Sequence, residues 1–138
     1  MKKFLAVAAA GLLLAACDQK PQTASTAPAT PVRELFVVYF DTGQSAIVPD
    51  GQAKVDQAAA TFKKGGVAVT VKGHADRVGD QGANLRLSMA RTANVKAAMM
   101  RAGVPESAIR SGSLGEENLP VPTADQVPDR LNRSVHIA

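Results

Sequence analysis

Few residues of this chain are able to do covalent chemistry. Its 138 residues contain one cysteine, Cys17, and two histidines, His74 and His136. A nucleophile needs a positioned base beside it, and a zinc site needs three or four nitrogen, sulfur or oxygen ligands. No Gly-x-Ser-x-Gly elbow, HExxH pair or Walker-type phosphate loop occurs. A lone cysteine closes no internal disulfide and builds no cysteine-rich zinc module. These residue types argue against an enzyme, and they call for neither a metal nor a cofactor. What remains is the non-covalent chemistry of 16 Lys/Arg and 12 Asp/Glu side chains. Arg77, Arg86, Arg101 and Arg110 read as solvated, with Arg101 also suited to a helix C-terminus. His74 reads as a hydrogen-bonded structural residue, and His136 as a strand residue of no evident role.

The surroundings of Cys17 give it a different use. Lys2 and Lys3 precede an apolar run from Phe4 to Ala16 that is too short to span a membrane and has the charged start and small-residue end of a secretory signal, residues 1–16. Its ending, Leu14-Ala15-Ala16-Cys17, resembles the lipobox of bacterial lipoproteins, in which cleavage before the cysteine leaves that cysteine to carry the acyl chains. Removing the signal takes two lysines and no acid, leaving 14 basic residues against 12 acidic ones, a net charge of +2. That balance, with 4% aromatic residues and no aromatic platform along a basic stripe, does not suit nucleic acid. After the cysteine, Asp18 to Pro31 is rich in Gln, Thr, Ser, Ala and Pro and offers no large apolar residue to bury. Residues 17–32 therefore read as a lipidated cysteine and a tether, which at about 3.1 Å per residue reaches at most about 45 Å and as a flexible coil averages roughly 20 Å.

The elements that must position the charges lie in residues 33–138. Leu35 to Phe40 is apolar on both faces, as for a short strand inside a sheet. Pro49 suits a helix first turn; Val55, Ala58, Ala59 and Phe62 recur at helical spacing, and Lys63, Lys64, Gly65 and Gly66 form a stop. Val67, Val69 and Val71 alternate as a strand with one covered face. A second helix is expected over about 88–102, with Val95 and Met99 inward and Gly103 and Pro105 ending it. Short strands near 108–114 and 134–137 flank a Pro-rich loop over 116–130. The order is strand, helix, strand, helix, strand with a final strand. It predicts an α+β fold, a mixed four-stranded sheet with two main helices packed on one face.

Four stretches of this region stand out together: Tyr39-Phe40-Asp41, Gly73-His74-Ala75-Asp76-Arg77-Val78-Gly79, Asn84-Leu85-Arg86-Leu87-Ser88-Met89-Ala90-Arg91, and Asn132-Arg133-Ser134-Val135. In this order they resemble the OmpA-like domain, and the resemblance covers nearly all of residues 33–138. It implies non-covalent binding of peptidoglycan at the diaminopimelate residue of its stem peptide. Asp76 and Arg91 would hold that residue, assisted by Asp41, Asn84 and Arg133. Two departures are visible. Thr92 stands where an alanine is usual, and Ser134 stands where a second arginine is common.

The ligand's chemistry agrees with those residue types. The free end of diaminopimelate carries an ammonium and a carboxylate on one carbon, so its receptor needs an acceptor-only group and a planar donor fork close together. An aspartate and an arginine supply them through charge-assisted hydrogen bonds. Asp76 and Arg91 could instead pair with each other as a structural ion pair. If Ser88 caps the second helix, Leu87 is its staple residue, and Arg91 sits in the first turn, against the helix dipole. That position would mark it for a ligand; if the helix begins near Gly82, this argument fails. The resemblance further implies an outer-membrane lipoprotein whose domain faces the periplasm. Asp18 resembles an inner-membrane retention signal, and a TolB-like periplasmic protein is a possible partner. A scaffold acting mainly through protein partners is the alternative function.

Overall fold

The computed structural model describes residues 35–138. The leader, Cys17, the tether and the first residues of the expected domain, 33 and 34, lie outside the described residues. The elements are β1 (Phe36–Tyr39), α1 (Pro49–Lys63), β2 (Val69–Gly73), α2 (Gln81–Arg101), β3 (Ile109–Ser113) and β4 (Ser134–Ile137), with short 3₁₀ turns at Glu106–Ala108 and Arg130–Asn132. The sheet runs β1-β4-β2-β3. β4 is antiparallel to both neighbours and β2 is parallel to β3, so the sheet is mixed.

Alternation along the strands sorts the side chains. Val38, Val69, Val71, Val135 and Ile137 join Val55, Ala58 and Ala59 of α1 and Val95, Ala98 and Met99 of α2 in one core. Both helices therefore cover the same face of the sheet, as predicted. α1 begins at Pro49 with Asp50 in its first turn and ends with Lys63 in its last, which suits its dipole at both ends. Gly73 closes β2 because α2 passes too near for any side chain. A Cβ there would stand 2.7 Å from the Ser88 carbonyl oxygen and against Thr92 Oγ1. Thr92 fills that space with satisfied chemistry: its hydroxyl donates to Ser88 O at 2.8 Å and receives Ser113 Oγ at 3.0 Å.

Three expectations are corrected. The strand at 35–40 is at the edge of the sheet, because the last strand inserts between β1 and β2. Val67 is 91% exposed and precedes β2, which starts only at Val69. The second helix starts at Gln81 rather than near Ser88: Asp80 is its N-cap, accepting the Ala83 N–H at 2.8 Å. Ser88, far from capping, donates to Leu85 O at 2.8 Å and accepts the Gly115 N–H at 3.0 Å. Arg91 is thus a mid-helix residue, and no dipole conflict singles it out.

Candidate functional site

The four stretches converge at one end of the sheet. Phe40 and Asp41 leave β1, His74 to Asp76 leave β2, Arg133 enters β4, and Arg91 reaches across from the middle of α2. Asp76 pairs with Arg133, not with Arg91: Arg133 Nη1 donates to Asp76 Oδ2 at 3.0 Å. The two side chains are 8% and 15% exposed, so the pair is largely desolvated yet reachable from solvent. Arg133 Nε also donates to Phe40 O at 3.2 Å, which fixes the guanidinium against the end of β1.

Arg91 is more deeply placed than a ligand fork was expected to be. It is 0% exposed, and it spends three of its five N–H donors on main-chain carbonyls. Nε donates to Gln44 O at 2.8 Å, Nη1 to His74 O at 3.2 Å and Nη2 to Asp41 O at 3.1 Å. Its guanidinium lies 5.1 Å from the centre of the Phe40 ring, within cation–π range. Burial lowers its pKa to about 10, with Asp76 opposing that shift and Arg133 adding to it. Arg91 therefore remains a cation at neutral pH, a buried positive charge behind Asp76 that ties the β1–α1 loop to the end of β2.

The remaining expected residues divide. Asp41 contributes its carbonyl to Arg91 and accepts the Gln44 N–H at 3.0 Å, while its side chain is exposed beside the cluster. Asn84 is buried and holds the approach to α2, with Nδ2 donating to Val78 O at 3.0 Å. Ser134 is buried, donates to Leu131 O at 2.9 Å and lies 3.2 Å from His136 Nε2. Its hydroxyl partners are these and not Asp76, Arg91 or Arg133.

Other residues at the site were not expected to take part. Gln44 supplies one of the carbonyls that hold Arg91. Gln126, in the left-handed region at φ 59, zips the long loop to the segment after Asp76. Its N–H donates to Arg77 O at 2.8 Å, its Oε1 accepts the Gly79 N–H at 2.9 Å, and its Nε2 donates to Gly79 O at 3.2 Å. Asn132 clamps the same loop through both main-chain groups of Val121, at 2.8 and 2.9 Å. Arg77 is not simply solvated: its Nε lies 3.6 Å from Glu116, whose side chain is almost buried. Main-chain contacts of this kind leave no pattern in a sequence, since any residue supplies a carbonyl.

Among the described residues, no group of three or more His, Cys, Asp or Glu side chains is placed to hold a metal, and no helix is long and apolar enough to cross a membrane.

Comparison with known proteins agrees with the architecture. The peptidoglycan-associated lipoprotein of Rhizobium meliloti is 34% identical over 91 residues, covering 65% of this chain and 51% of that protein. Outer membrane protein A of Serratia odorifera is 34% identical over 96 residues, 67% of this chain and 36% of that protein. The chain thus spans about half or less of the length of these curated relatives. The crystal structure of the peptidoglycan-associated lipoprotein from Burkholderia pseudomallei superposes with a TM-score of 0.68 at 26% identity, covering 81% of this chain and 95% of that one. The OmpA family pattern matches residues 39–133, from the end of β1 to the arginine that enters β4, and the chain belongs to the OmpA family.

Proposed function

We propose that the domain binds peptidoglycan without catalysis, taking the free end of a diaminopimelate residue at Asp76. The observation that carries this reading is the charge arrangement around Asp76. One carboxylate, largely withdrawn from water, has Arg133 at 3.0 Å on its rim and the buried Arg91 cation behind it. A zwitterionic carbon bearing an ammonium and a carboxylate matches that pattern. The ammonium shares Asp76, and the carboxylate takes the arginine donors that Asp76 and the main chain leave free. Asp41, exposed beside the cluster, adds a second acceptor, and Asn84 keeps the entry to α2 in place. The names of the relatives, which include peptidoglycan-associated lipoproteins, support the same ligand. With Cys17 acylated and residues 18–32 as tether, the chain would link the outer membrane to the wall from the periplasmic side. Asp18 makes the inner membrane the competing address, and gradient separation of the two membranes distinguishes them.

The test is co-sedimentation of the chain, carrying Cys17→Ser, with purified sacculi. The unaltered site should pellet with the wall and leave it intact. Asp76→Ala, if it remains folded by thermal unfolding, should lose binding by a factor of tens to thousands, since losing one partner of a desolvated charge pair costs about 2 to 5 kcal/mol. Near-normal binding by that variant would overturn the site. Release of soluble wall fragments would indicate a hydrolase. Indifference of the unaltered chain to sacculi would favour a scaffold working through protein partners, such as a TolB-like protein.

A further inference from the structure

The two edges of the sheet are not alike. Along β1, Phe36, Val38 and Phe40 face β4 for hydrogen bonding, with pairs 36:137 and 38:135 continued by Phe40 N–H donating to Arg133 O at 2.8 Å. Main-chain polarity alternates along a strand, so the N–H and C=O groups of Val37 and Tyr39 point away from the sheet. No strand pairs with them among the described residues. The opposite edge, β3, carries Arg110 and Gly112, a charge and a weak strand former of the sort that discourages further pairing. β1 reads Phe-Val-Val-Tyr, without charge, proline or bulge. An open groove of about 430 Å³ runs beside it, walled by Asp50, Ala53 and Lys54 of α1. Arg130 lies over the Tyr39 ring at 4.8 Å.

We propose that this edge is an interface between two copies of the chain, β1 pairing antiparallel with β1 of the second copy about a two-fold axis through Val38. The edge is self-complementary in three respects. Val37 of each copy meets Tyr39 of the other, and because both present outward N–H and C=O groups, the two meetings close four main-chain hydrogen bonds. Each also forms an aromatic and β-branched cross-strand pair on the helix-free face, a favourable combination. The groove wall carries both signs of charge. Gly51 packs against Val38, so Asp50 and Lys54 flank, along α1, the level at which the two-fold axis passes. Asp50 of one copy is brought toward Lys54 of the other. The result is one eight-stranded sheet with a closed, isologous interface. Its small size makes it a weak, concentration-dependent dimer.

Sedimentation velocity of the full chain in mild detergent, with amide exchange read at residues 36–40, tests this. Dimer should form as concentration rises, and the Val37 and Tyr39 amides should gain protection in step. Val37→Pro removes a donor that β4 does not use and should weaken association about tenfold or more. Lys54→Asp should weaken it several-fold, and the exchanged pair Asp50→Lys with Lys54→Asp should restore it, a readout independent of how well the proline is tolerated. Three results would overturn the proposal. One is a monomer with open edge amides at every concentration. Another is a monomer whose edge amides are protected regardless of concentration, which would mean the chain covers its own edge. The last is a dimer indifferent to Val37→Pro and to the charge changes.

Discussion

Asp76, Arg91 and Arg133 show how a charge cluster divides its work. Arg133 meets Asp76 directly at the surface, whereas Arg91 is buried and holds three carbonyls from two loops. Arg91→Ala would leave the His74 carbonyl unpaired in the interior and the part-buried Gln44 carbonyl without its donor, at about 1 to 3 kcal/mol for each group left unsatisfied, while Asp41 O keeps the Gln44 N–H. The variant should unfold at a markedly lower temperature than Asp76→Ala. Arg91→Lys keeps the charge, but its compact ammonium cannot span Gln44, His74 and Asp41 with a planar fork, so it should recover little of the lost stability. Thermal unfolding of the three variants beside the parent checks the order. Arg91→Ala unfolding no earlier than Asp76→Ala would contradict the structural part assigned to Arg91. The residue types of this cluster were legible in the sequence, because a carboxylate and arginines fit a zwitterion. The partners were not: Arg91 and Asp76 are 15 positions apart, and which arginine reaches which oxygen depends on how deeply α2 packs.

Packing of the second helix is set at the level of elements. Gly73 lets α2 approach β2, and Asp80 starts the helix two turns earlier than Ser88 would, so that Arg91 projects from the helix middle toward the strand ends. Asp80→Ala should cost about 1 kcal/mol through loss of the Ala83 N–H cap, measurable by denaturant unfolding; an unchanged midpoint would return the cap to another residue. Gly73→Ala should be worse, since the obstructing Ser88 carbonyl belongs to the helix backbone and cannot rotate away. Element order, both helices' inward residues and the end of α1 followed from periodicity and punctuation. The start of α2 did not, because Asp80 and Ser88 are both good caps and Gly82 between them weakens any helical reading. The position of β1 did not either. A strand apolar on both faces is read as internal, yet Tyr39 and Val37 are half-buried at an edge, with Arg130 over the Tyr39 ring.

For the molecule as a whole, His136 of β4 and His74, the residue just past the end of β2, form a titratable pair. His74 and His136 meet edge to face with ring centres 5.3 Å apart. Burial lowers the pKa of His74 first; His136 and Lys72 lower it further, and the Glu117 main chain opposes them. Burial likewise lowers His136, whose other neighbour is the Ser134 hydroxyl. A lowered histidine pKa means that the unfolded chain binds more protons than the folded one once pH falls below the ordinary value near 6.5. Stability is therefore full above that pH and is lost as pH falls through it toward the folded values. The loss is at most about 1.4 kcal/mol per pH unit for each histidine. It acts where β2 and β4 are joined, since the His74 N–H donates to Ser134 O at 2.8 Å, one step from Arg133 and two from Asp76. The unfolding temperature of the domain should drop as pH falls below about 6.5, beginning above the range where most carboxylates titrate. His136→Gln should flatten that drop while leaving the neutral-pH fold in place. A parent protein whose unfolding temperature stays level over that fall, or a His136→Gln variant with the parent's slope, would remove the pair as the source of acid sensitivity.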